Sequence, residues 1–98
     1  MAVQTDVKSA HLSAAGSYYV GRTRLKGIVV SPKASTAATF EIRDGSSTGN
    51  VLYTMDIASL GTPNTFYVQI PGEGILASTG LYLTLSVGSV TGITVFYG

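Results

Sequence analysis

The chain contains no cysteine and no tryptophan. Without cysteine no disulfide can staple the fold and no thiolate can hold a metal, and the lack fits synthesis in a reducing cytoplasm. Charge is scarce as well: 11% of the residues are charged, against about 25% in an average domain. The net charge of +1 lacks the basic excess that marks nucleic-acid-binding domains. The opening residues, Met1 to Asp6, have neither a basic nor an apolar region, so no secretory leader is expected. No apolar run approaches the ~20 residues that a membrane-crossing helix needs, and no membrane partner is expected.

What is present is apolar and rich in small residues. Ninety-eight residues allow one core, so residues 1–98 are read as a single domain. Positive mean hydropathy with few charges leaves more apolar character than so small a globule can hide. Part of the outer surface is therefore expected to be covered by other protein, copies of the same chain included, because surfaces low in charge associate readily.

The apolar pattern has period two, the signature of strands. Val3, Thr5 and Val7 alternate with Gln4, Asp6 and Lys8, giving a first strand over about 3–12. Short runs follow at Tyr18–Val20 and Leu25–Ser31, the latter stopped by Pro32. Phe40 and Ile42 share one face of the next strand. After a turn over 44–50, rich in Gly, Ser and Asn, Val51, Tyr53, Met55 and Ile57 share a face of its hairpin partner. Phe66, Val68 and Ile70 precede a Pro71–Gly74 corner and a short Ile75–Leu76 segment. Leu81, Leu83, Leu85 and Val87 then alternate with polar residues, and Ile93, Val95 and Tyr97 complete the series. About eight short strands separated by turn signals predict an all-β chain: a compact antiparallel β-sandwich, jelly-roll-like. The expected core holds Val29, Phe40, Ile42, Tyr53, Met55, Val68, Ile70, Leu83, Leu85, Ile93 and Val95.

Residues that carry chemistry are few. His11 is the one histidine, no cysteine accompanies it, and its nearest carboxylate in sequence is Asp6, so a structural or solvent role is expected. Serine nucleophiles need an activating base, and no Gly-x-Ser-x-Gly elbow is present. The glycines around Glu73 lack the lysine of a phosphate loop. Asp44 opens a loop with a few calcium-capable oxygens, but Asp-Gly is also an ordinary way to begin a turn. No catalytic residue, metal site or cofactor is expected, and the chain is not read as an enzyme.

Arg22, Arg24 and Lys26 lie at i, i+2 and i+4, which on a strand points all three to one face. Such a stripe is either a solvated face or a docking surface for an acidic protein. A nucleic-acid groove ranks third, because no aromatic residue interleaves with the stripe. Tyr67, Tyr82 and Phe96, with Tyr18 or Tyr19, fall outside the inferred core faces and are candidate contact residues, tyrosine being enriched at interfaces.

Several stretches together carry a resemblance: Gln4–Ala10, Gly21–Gly27, Arg43–Ser46, Pro71–Leu76 and Val95–Gly98. The chain resembles small proteins of about this length encoded by marine tailed phages, including cyanophages. The resemblance implies a structural virion protein made in the host cytoplasm. It would be a head decoration or cement protein bound to the major capsid protein or other virion proteins, or alternatively a tail or knob component reading a host surface or glycan. Arg22, Arg24, Lys26, Tyr67, Tyr82 and Phe96 are the candidate docking residues.

Overall fold

A computed structural model describes residues 7–98. Nine strands run in chain order: β1 (Lys8–Leu12), β2 (Gly16–Val20), β3 (Thr23–Pro32), β4 (Ala38–Asp44), β5 (Val51–Ile57), β6 (Phe66–Gln69), β7 (Ile75–Ala77), β8 (Gly80–Val87) and β9 (Val90–Tyr97). The portion of the first expected strand over residues 3–6 lies outside the described residues. The Ile75–Leu76 segment is a strand in its own right, β7, which brings the number to nine.

All pairings are antiparallel. One sheet has the order β1-β9-β3-β6, with β7 also against β3; the other has the order β2-β8-β4-β5. Successive strands β1/β2, β3/β4 and β5/β6 therefore sit in opposite sheets, which is the jelly-roll way of wrapping a β-ribbon into a sandwich. The sheets bury one shared core of Leu25, Ile28, Val30, Phe40, Ile42, Leu81, Leu83, Ile93 and Val95. Tyr18 ties the layers together: its hydroxyl donates 2.9 Å to the carbonyl of Ile93 on the facing sheet. Burial pushes that hydroxyl well above the usual tyrosine range, because the ionised form would lose its water.

Register shifts interrupt the pairing in several strands, and those in β3 and β5 change which side chains face inward. In β3 the register against β9 passes from Leu25↔Tyr97 to Gly27↔Phe96, so Lys26 is an extra residue. Thr23 and Leu25 point inward before it, Ile28 and Val30 after it. Strict alternation from the basic stripe places Val29 in the core; the bulge reverses the phase and leaves Val29 half-buried on the outer face. In β5 the pairs Ile42↔Tyr53 and Arg43↔Val51 leave Leu52 extra. Val51 is thereby exposed and does not share the inward face of Tyr53, Met55 and Ile57. Tyr53, Met55, Val68 and Leu85 pack against the core from partly buried positions.

The turn over 44–50 is closed by the Asp44 amide on the Asn50 carbonyl, 2.8 Å. The Asp44 carboxylate reaches across to the turn between β7 and β8. It accepts from the backbone amides of Thr79 at 2.8 Å, Ser78 at 3.2 Å and Gly80 at 3.3 Å. These bonds, that of Thr79 foremost and against some desolvation, hold its carboxyl below the ordinary aspartate range.

Candidate functional site

Charge divides between the sheets. The strands of the β1-β9-β3-β6 sheet, with β7, carry Lys8, Arg24 and Lys26 and no carboxylate. Those of the β2-β8-β4-β5 sheet carry Glu41, Asp44 and Asp56 with Arg43 as the sole cation. On the outer face of this second sheet the charges are already partnered. Arg43 pairs with Glu41 at 2.6 Å and donates to the Gly49 carbonyl. Thr84 lies 3.3 Å from the same Glu41 carboxylate, and Thr39 donates 2.8 Å to Asp56. Among the described residues Arg43–Glu41 is the one ion pair.

The outer face of the first sheet is built differently. Register places Tyr67 beside Val29, and Gly27 between Phe96 and Gln69. Gly27 has no side chain, and the ring of Tyr67 lies across the space: a Cβ at that position would come within 2.7 Å of the tyrosine hydroxyl. The far side of the ring leans on Phe96 edge-to-face, centroids 6.1 Å apart and planes at 75°. A glycine in a central strand covered by a cross-strand aromatic is thus what holds Tyr67 flat on the sheet, where the residue remains 56% exposed. His11 is seated similarly over Gly92, its Nδ1 at 2.8 Å from the Thr94 hydroxyl. It bears on packing, and among the described residues no carboxylate hydrogen-bonds to it.

Four of the candidate docking residues belong to this face. Arg24 and Lys26 flank it on β3, Tyr67 and Phe96 form its centre. Arg22 is exposed in the turn just before β3 rather than on the strand, so it adjoins the stripe without being part of a strand face. Tyr82 is elsewhere: it stands opposite Arg43 and Ser17 on the outer face of the other sheet. Of the neighbouring tyrosines, Tyr18 is buried and Tyr19 packs against Tyr97 with ring centroids 5.0 Å apart. Three residues of the face escaped the sequence reading: Gly27, Val29 and Leu76, the last paired with Arg24 across β3 and β7. A glycine inside an otherwise apolar strand was the available signal for a bulge or a close approach.

Among the described residues no three His, Asp or Glu side chains gather as a metal would require. No buried side-chain nitrogen or oxygen lacks a hydrogen-bond partner there, and no helix is long and apolar enough to cross a membrane. A cavity of about 330 Å³ opens at the end of the sandwich between Pro32, Ile57 and Phe66, with Asp56 among its lining residues. No protein family, curated protein or solved structure matches the chain.

Proposed function

We propose that the chain is a non-enzymatic structural protein of a tailed phage particle, a head decoration or cement protein seated on the major capsid protein. The observation that carries the docking role is the outer face of the β1-β9-β3-β6 sheet. It presents an exposed tyrosine braced on a phenylalanine, flanked by two cations that have no ion-pair partner among the described residues. A preformed aromatic platform loses little side-chain freedom on binding, and aromatic anchors dominate interface energetics. The flanking cations add steering toward an acidic partner. The phage particle as the setting rests on the resemblance carried by the strand and turn motifs.

Copy number in purified particles tests this reading. A decoration protein appears on a stained gel at a stoichiometry comparable with that of the capsid protein, and replacing Tyr67 by Ser lowers it. A trace band at tail-like stoichiometry, together with saturable sugar binding that depends on Tyr67, would instead place the chain on a tail or knob as a glycan reader. Absence from particles would end both readings.

A further inference from the structure

The sandwich carries an apolar-plus-cationic pair and a hollow at opposite ends of its longest strand. The pair is at the start of β3, where Arg24 and Leu76 are direct cross-strand neighbours on the outer face. Leu76 is 38% exposed there, an apolar side chain beside a guanidinium. The hollow is at the far end, the cavity of about 330 Å³ walled by Pro32, Ile57, Leu60, Pro63 and Phe66, with Asp56 the one charged residue among the described residues that line it. Leu60 and Phe66 leave apolar surface open at its mouth, being 56% and 38% exposed. One oxygen of Asp56 is fixed by the Thr39 hydroxyl at 2.8 Å, and the other has no hydrogen-bond partner among the described residues. Lys33 follows Pro32 in the chain but does not line the hollow.

From Arg24 to Pro32 the strand covers about 26 Å at its ~3.3 Å rise per residue. The Arg24–Leu76 pair therefore cannot reach the hollow of its own chain, and a second copy brings a matching apolar-plus-cationic pair. We infer that the hollow of one copy receives Leu76 and Arg24 of the next, with Arg24 facing Asp56. The contact joins different patches on the two copies, so it is head-to-tail and either closes into a ring or continues across a surface. It goes beyond the particle reading, and it assigns Arg24 to the neighbouring copy, leaving Lys26 and the Tyr67–Phe96 platform for the underlying partner.

One such pair in one hollow is smaller than a standard interface, so the contact is weak in solution and gains strength only where many copies are held together. Cross-linking detects such a contact, and the absence of native cysteine makes it clean. Protein carrying Leu76→Cys is mixed at high concentration with protein carrying Leu60→Cys and mildly oxidised, folding of each variant being checked by circular dichroism. The expected result is that the mixed disulfide forms severalfold faster than either like-with-like disulfide. Adding Asp56→Lys to the Leu60→Cys protein should lower that yield severalfold, and adding Arg24→Glu to the other partner should bring it back. Equal rates for the three disulfides, or a yield indifferent to the charges at 24 and 56, would overturn the inference and mean that something other than a copy fills the hollow. The experiment uses isolated protein, so its failure leaves the particle stoichiometry untouched, and the reverse also holds.

Discussion

On the outer face of the β2-β8-β4-β5 sheet, Glu41 is held by Arg43 and Thr84, and Asp56 by Thr39. On the outer face of the β1-β9-β3-β6 sheet, Arg24 and Lys26 have no such side-chain partner among the described residues, and Tyr67 covers a glycine while keeping most of its surface in water. Both sheets bury equally apolar inner faces in one core. The difference is confined to what each shows outward: one face has its charged groups engaged by neighbours, apart from one oxygen of Asp56 on its edge strand, and the other has apolar rings and cations still available. A self-satisfied face gains little by meeting another surface, since its hydrogen bonds are already made. A face of braced rings gains the burial of its apolar area.

Changes to the shared core affect both sheets and set the upper scale. Phe40→Ala empties a fully buried site between them and should cost about 3–5 kcal/mol in chemical denaturation, a large share of the stability of a domain this size. A smaller loss would mean that the sheets can close over the cavity.

Asp44 sharpens the comparison through pH. Its folded-state pKa is lowered, so the stability it contributes is full above the unfolded aspartate value and is lost as pH falls through the folded one. Asp44→Asn should therefore destabilise the protein at neutral pH and converge with the parent in acid. Parallel stability curves for the two proteins over the acid range would contradict this assignment.

The partnered face itself contributes modestly. Glu41→Ala leaves Arg43 without its carboxylate. Both side chains are about a quarter exposed, so the loss should be about 1 kcal/mol, within the range of partly solvated pairs. The double change Arg22→Ala with Arg24→Ala lies at the small end, within about 0.5 kcal/mol of the parent in stability. It should instead slow attachment to a partner at low salt. The difference should fade near 1 M salt, where the Debye length is about 3 Å. Full attachment of this variant at low salt would make the stripe a solvated face.

How far the sequence reveals these faces depends on the residue. The sandwich, its turns and most of its inner positions follow from period two, because alternation survives along β4 and over Leu81–Leu85 and Ile93–Tyr97; it breaks only at Ser86 in β8, which leaves Val87 exposed, and at Thr91 in β9. The bulges at Lys26 and Leu52 are not written in that period. They arise from pairing with β9 and β4, which is why Val29 and Val51 change sides. Tyr67 and Tyr82 look alike in sequence, each alternating with core residues, and only the topology puts them on opposite outer faces. Which glycine a tyrosine covers is likewise a cross-strand fact, legible beforehand only as an odd Gly27 inside a strand. The hollow at Pro32 and Phe66 combines residues far apart in the chain and leaves no local mark at all.

The central claim, that the outer face of the β1-β9-β3-β6 sheet meets the underlying partner and the other outer face does not, is tested most directly by that pair of tyrosines. Tyr67→Ser and Tyr82→Ser remove the same group from opposite faces, and both leave the buried core residues in place. The measurement is the amount of each variant retained on purified particles, relative to the capsid protein, at moderate salt. The account predicts that Tyr67→Ser is largely lost while Tyr82→Ser stays near the parent level. Retention of Tyr67→Ser with loss of Tyr82→Ser, or equal retention of the two, would contradict it.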